Sequence, residues 1–371
     1  MKKTTRILLS LSFAGLMLSS CDNVGLFDYE GDCPPEEIPV AKKTMAVQFV
    51  FKKHRQALQQ QSGKETDAFY ATVPTVHLFV YDNETGALVY DQIESTDNLK
   101  SEMDLNRGTG TDKCFMELSL DPGKYRLVAW CGLDENDENN AFSLTGNKRA
   151  SGNVCSVKRH ALTGHPVNDD KYDNLYHGRH TSAEVTDTEE DQIFPVELTK
   201  NNNDINVLVQ HTTANLADGD YTVVYTDANG EMDFHDNSLT DNSALEYNAF
   251  ETSILNADME YNGSMVQSGA LVAHLSTSRL LENHSDDARL EVRNRDGKTV
   301  FSIPFIKYVM MMQTLTNDQQ YYLDCEDTYN CTFFLTGAEM EDGAWIPMQI
   351  IINNWAKVPD QNGSITGSDK E

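Results

Sequence analysis

Positive charge is what this sequence lacks most. Lysine and arginine total 29 against 58 aspartates and glutamates, a formal charge of −29 over 371 residues. So acidic a surface repels phosphate backbones and anionic head groups, which argues against nucleic acid as a partner and against electrostatic membrane binding. Membrane-length apolar runs are missing too. The opening segment Ile7–Leu18 has 12 residues, short of the ~20 that a bilayer-spanning helix needs. No Cys-x-x-Cys occurs among the seven cysteines, which sets aside zinc ribbons and thioredoxin chemistry. Gly-x-Ser-x-Gly elbows, His-Glu-x-x-His helices and phosphate-cradling Gly-rich loops are also absent. No catalytic residue, metal or cofactor is expected from motifs.

What is present begins with a leader. Lys2, Lys3 and Arg6 precede the short apolar segment, and small residues follow it, as in a signal peptide. The sequence Leu18-Ser19-Ser20-Cys21 resembles the lipobox of bacterial lipoproteins, in which the cysteine becomes the acylated first residue of the mature chain. Each buried methylene contributes ~0.8 kcal/mol and stable anchoring takes more than one chain, so a multiply acylated Cys21 holds a protein on a membrane. An ordinary secretory signal with a chance cysteine is the bland alternative. Cleavage before Cys21 removes three positive charges and moves the formal charge from −29 to −32.

Six cysteines remain: Cys33, Cys114, Cys131, Cys155, Cys325 and Cys331. An even count in an exported chain suggests disulfides, with Cys325 and Cys331 closing across "CEDTYNC" and Cys114 and Cys131 flanking a candidate hairpin. Free buried thiols are the alternative.

Beyond the tether the pattern is alternation. "MAVQFVF" (45–51), "VHLFVY" (76–81), "MELSL" (116–120), "YRLVAW" (125–130), "INVLVQ" (205–210), "YTVVYT" (221–226), "CTFFLT" (331–336) and "PMQIIIN" (347–353) read as strands. Asp121-Pro122-Gly123, Asn229-Gly230 and Asp296-Gly297 read as turns, the last two as two-residue hairpins. Only "KHRQALQQQ" (53–61) reads as a short helix or polar loop. "FVYDNETGAL" (79–88) aligns with "VVYTDANGEM" (223–232), each preceded by an alternating strand, so the fold expected is all-β with two tandem sandwiches. The division predicted is a signal peptide over 1–20, a lipidated tether over 21–44, and sandwiches over 45–195 and 196–371.

Other features are weaker. His177 and His180 in "LYHGRHT", with His160 and His165 nearby, read as surface-loop residues rather than metal ligands. The run "DENDENN" (134–140) has Asn139 where an EF-hand loop needs glycine. Trp130, Trp345 and Trp355 read as core residues rather than a carbohydrate platform.

Several patterns coincide in one order: the lipobox, "YEGDCPP" (29–35), "VHLFVYDNETGAL" (76–88), "LDPGKYRLVAWCG" (120–132), "NLYHG" (174–178), "VELTKNNNDINVLV" (196–209) and "PMQIIINNW" (347–355). With them the chain resembles the FimB/Mfa2 family of fimbrial anchor lipoproteins from Bacteroidetes. The resemblance implies two transthyretin-like β-sandwiches, lipidation at Cys21, and a site on the outer membrane with its bulk facing outward. It also implies a fimbrial shaft subunit as partner, joined by β-strand addition, and a role in limiting fibre length. The polar tail "AKVPDQNGSITGSDKE" (356–371) makes a poor donor strand, so if the protein donates, the strand is expected at "PMQIIIN" or another segment. If it accepts, the groove is expected beside "MAVQFVF" or "INVLVQ"; the two polarities stay open. A surface glycan- or protein-binding lipoprotein of a nutrient-capture system is the competing expectation, and a hydrolase with fold-placed carboxylates is a third.

Overall fold

The computed structural model describes residues 43–51, 58–61, 64–67, 72–101, 113–133, 141–148, 155–159, 171–188, 190, 192–211, 215–240, 244–261, 263–311, 319–335, 347–352 and 355–357. The expected leader, Cys21 and Cys33 lie outside them. The expected tether ends slightly early, because the first strand already begins at Lys43.

Among the described residues, the first half of the chain supplies twelve strands. They are β1 (Lys43–Phe51), β2 (Leu58–Gln61), β3 (Lys64–Asp67), β4 (Thr75–Asp82), β5 (Leu88–Ser95), β6 (Lys100–Ser101), β7 (Lys113–Leu120), β8 (Gly123–Cys131), β9 (Phe142–Gly146), β10 (Cys155–Arg159), β11 (Tyr176–Val185) and β12 (Gln192–Lys200). Eight form one sheet in the order β5-β4-β8-β11-β12-β1-β7-β6, and β2 pairs only with β3. Alternation does what the sequence predicts in β1: Met45, Val47, Phe49 and Phe51 all enter one core. The same core takes Val76, Leu78 and Val80 of β4 and Met116, Leu118 and Leu120 of β7. Strands near opposite ends of the sheet can share a core only if the sheet rolls up. Tyr90 of β5 shows the closure, its hydroxyl lying 3.8 Å from the Met116 sulfur.

Asp121-Pro122-Gly123 is a corner rather than a hairpin, because β7 and β8 do not pair and lie four places apart in the sheet. Tyr125 fastens it by donating its hydroxyl to the Asp121 carbonyl at 2.7 Å.

The second half adds β13 (Asn202–His211), β14 (Tyr221–Asp227), β15 (Glu231–Asp233), β16 (Leu245–Asn248), β17 (Glu251–Tyr261), β18 (Ser264–Ser278), β19 (Arg289–Asn294) and β20 (Thr299–Pro304). Helices α1 (Phe305–Met311) and α2 (Gln319–Asp324) follow, then β21 (Thr328–Leu335), β22 (Pro347–Ile352) and β23 (Trp355–Lys357). A six-stranded sheet, β17-β18-β13-β21-β22-β23, faces a four-stranded one, β16-β14-β19-β20. Between them lie Ile205, Val207, Val209, Leu271, Leu275 and Phe333 from one side and Val223, Tyr225, Leu290 and Val292 from the other. Phe301 and Phe333 meet across the gap with ring centres 4.8 Å apart. This is a sandwich, and the fold is all-β as expected. The repeat shows in topology: β1 runs parallel to β12, and β13 parallel to β21, so each half opens on a strand that pairs with a late one.

Two details differ from the sequence reading. Strand β12 belongs to the first core through Val196 and Leu198, so the cores change hands at Asn201 rather than at 195. The Asn229-Gly230 hairpin does not form. Strand β14 pairs with β16 and β19, while the chain beyond Gly230 leaves to pair β15 with β10. Neither residue has positive φ. A Cβ at Gly230 would lie 2.2 Å from the end of the Leu245 side chain, which would have to turn aside to admit it.

Candidate functional site

That excursion of β15 builds a third core between the two halves. Phe79, Tyr81, Val128, Trp130, Phe142, Val157 and Leu175 pack against Met232 and Phe234. Trp130 is 0% exposed and donates its indole N–H to the Phe234 carbonyl at 3.0 Å. His177 lies under Trp130, ring centres 4.7 Å apart. It is a buried strand residue of β11, not a loop residue, which corrects the sequence reading. Burial and the nearby Arg179 and Arg279 guanidinium groups drive its pKa down to about 3.

Three consecutive asparagines then stitch the halves, all of them buried. Asn201 exchanges two amide hydrogen bonds with Asn237, each 2.8 Å. Its backbone N–H donates to Leu175 and its carbonyl accepts from Arg279. Asn202 accepts the Leu175 N–H at 3.0 Å, and Asn203 accepts from Leu280 while donating to Glu326. Buried polar groups in low dielectric are costly unless paired, so the paired members, Asn201 with Asn237 and Asn203 with Leu280 and Glu326, favour one arrangement of the segments they join. The buried Asn202 amide nitrogen, by contrast, has no partner among the described residues. Arg279 closes the cluster with two 2.8 Å bonds to the buried Asp324 carboxylate.

The expected cysteine pairs are not formed. Cys131 and Cys331 are free, buried thiols, and burial raises both pKa values. Cys331 points into the second core from mid-strand, flanked by Val207 and Ile352, while Cys325 follows the end of α2. Cys114 on β7 lacks a shared strand pairing with Cys131 on β8, because the corner sends those strands to different parts of the sheet. Cys155 heads β10, and its side chain lies outside the described residues. No group of three or more potential metal ligands occurs among the described residues.

A protein that joins others through strands must offer an edge. The expected grooves do not: β1 is paired on both sides by β12 and β7, and β13 by β18 and β21, while the expected donor strand β22 is itself paired by β21 and β23. In the three large sheets the terminal strands are instead β5 and β6, β16 and β20, β17 and β23. Among the described residues five large apolar side chains are exposed, and four sit on two of these edge hairpins: Val89 and Ile93 on β5, Leu255 on β17 and Met265 on β18.

The fold has known relatives. A family model described as fimbrillin-A associated anchor proteins Mfa1 and Mfa2 matches residues 29–360. The chain belongs to this Mfa2 family of anchor proteins. A candidate adhesin from Bacteroides thetaiotaomicron shares the fold at TM-score 0.66 and 24% identity, over 86% of this chain and 99% of that one. A candidate polysaccharide-binding protein from the same species matches at TM-score 0.62 and 21% identity, over 86% and 99%. The fimbrial anchor protein Mfa2 of Porphyromonas gingivalis matches at TM-score 0.57 and 15% identity, over 85% and 98%. At these identities the structural likeness is one of fold. Among curated proteins, none matches the chain.

In this Mfa2-family chain the motif residues turn out to do architectural work. Tyr125 locks a corner, Trp130 and His177 fill the joint between halves, and Asn201, Asn202 and Asn203 wire it. The asparagine run was visible in the sequence as a motif, but its role depends on Asn237, Leu280 and Glu326, which are far away along the chain. Phe234 carried no sequence signal at all.

Proposed function

We propose that this Mfa2-family protein anchors a fimbria to the cell envelope. Acyl chains on Cys21 hold it in the outer membrane with its bulk facing outward. A fimbrial shaft subunit joins it by strand addition, in which ladder hydrogen bonds and alternate side chains make a durable contact. An anchor that occupies the base of the fibre also limits its length. The family match over residues 29–360 carries the reading. The wired joint supports it, because an anchor must transmit load between its lipid end and its fibre end without parting. The protein is read as non-catalytic. Of the three tryptophans the glycan-binding reading turns on, Trp130 is fully buried, and the side chains of Trp345 and Trp355 lie outside the described residues.

The test is Cys21→Ser in the native host. The variant is expected to leave the membrane fraction with its thermal unfolding unchanged, and the cells to shed fimbriae. A Cys21→Ser protein that stays membrane-bound defeats the lipid anchor. A deletion strain with normally attached fibres defeats the fimbrial role.

A further inference from the structure

We propose that the open edge of β17, with the projecting end of the β17–β18 hairpin, receives one extended strand from a fimbrial subunit, a strand that alternates apolar and cationic side chains. The proposal rests on the anchor reading and adds the place of the joint and the chemistry of its partner.

Natural edges are blunted by shortness, proline, lysine or bulges. Strand β17 has none of these. It runs for 11 residues, Glu251–Tyr261, without proline or a basic residue, and its register with β18 is unbroken from Glu251 opposite His274 to Tyr261 opposite Ser264. The other terminal strands of the three large sheets are guarded. Strand β6 has two residues, β23 three and β16 four, β20 ends in Pro304 and pairs through a bulge, and β5 pairs through a bulge with Lys148 3.5 Å from its Asp91 carboxylate.

The β17 edge also outruns its support. Ile254 packs on the second core, and Asn256 bonds both backbone groups of Leu216, where the core ends. Beyond that point Ala257, Asp258 and Glu260 are exposed, and across the hairpin Met265 is 69% exposed. A two-stranded ribbon with little behind it is marginal in water, and a third strand would complete it.

The two faces specify that strand. Leu255, 59% exposed, and Ala257 share a face with their partners Ala270 and Ser268 and with Val266, a mostly apolar row. Asp258 and Glu260 project from the opposite face, beside Gln267 and Met265. Residues 249–270 contain three acidic residues and no lysine, arginine or histidine. A second copy of this edge would set carboxylates against carboxylates, which cross-strand pairing disfavours. An incoming strand with alternate apolar and cationic side chains meets both faces.

The experiment places a photo-crosslinking amino acid at Leu255 in the full-length lipoprotein in its native cells, and in a separate strain at Val89 on β5. The expected result is a crosslink from Leu255 to the shaft subunit. It should fall about tenfold in the Asp258→Lys, Glu260→Lys double variant, which stays in the membrane fraction with unchanged thermal unfolding. A crosslink from Val89 but not Leu255 overturns this edge while leaving the anchor reading intact. Absence of both, with fibres retained in a deletion strain, overturns the anchor reading itself. A crosslink from Leu255 to another copy of this chain, or one indifferent to charge reversal, overturns the partner chemistry.

Discussion

Two histidines titrate in opposite senses, and each answers to its immediate surroundings. His177 is sealed beneath Trp130 and held neutral, with its pKa near 3. In the unfolded chain it takes a proton near pH 6.5, so the folded state loses stability as pH falls from about 6.5 toward 3. His284 lies 2.6 Å from the buried Asp227 carboxylate, which raises its pKa. Its contribution is fully present below pH 6.5 and is lost as pH rises through the raised value. We expect His177→Phe, which keeps a ring against Trp130, to flatten the acid limb of the stability profile. Urea midpoints at pH 7 and pH 4 should differ less in the variant than in the parent. Equal differences would mean that His177 does not govern that limb. Nothing local in "NLYHG" distinguishes a buried histidine from a loop one. The distinction comes from Trp130 and Phe234, which reach it from other strands.

At the scale of elements, turns split into those whose reason is local and those whose reason is distant. Gly297 has φ +76° with open space around it and turns the β19–β20 hairpin, but the loop is longer than the two residues expected, closed between Asn294 and Lys298, and Asp296 does not share the positive φ. Gly132 has φ +83°, and a Cβ there would lie 2.0 Å from the Asn174 carbonyl oxygen. Gly132→Ala combines a left-handed conformation with a backbone clash, so we expect a loss of about 2–4 kcal/mol in chemical denaturation. Gly297→Ala meets only the conformational term, about 1–2 kcal/mol. Equal losses would refute the role given to Asn174. The same division explains the repeat. Its first copy, β4 and β5, is a true hairpin, and Asp82 caps the turn by accepting from Glu84 and Thr85. The second copy has similar letters, but the buried Asn229 amide donates to the Ser278 and Arg279 carbonyls instead, and the chain departs. The two short helices escaped notice because α1 places Phe305, Ile306, Tyr308 and Val309 in the core, an apolar run that carries no clear period.

At the scale of the molecule, the two sandwiches are coupled by the Trp130–Phe234 core and the asparagine cluster, and residues 41–371 pack as one unit. We expect the intact protein to unfold in one transition, seen together by Trp130 fluorescence and by circular dichroism. Phe234→Ala removes a buried ring at a cost of about 3–5 kcal/mol borne at the joint, and the two cores should then melt separately. A variant that still melts in a single lowered transition would place the coupling elsewhere.

The amino-acid order alone determined the class of the fold, the strand faces of β1 and β13 and the family motifs, because each depends on neighbours within a few residues. The tertiary structure alone decided that the cysteines Cys131 and Cys331 are free, that the cores divide at Asn201, and that β17 rather than β1, β13 or β22 presents an open edge. Strand alternation tells which side of a strand is wet. It does not tell which strand lies beside it, because ladder hydrogen bonds join backbone groups that every residue carries alike.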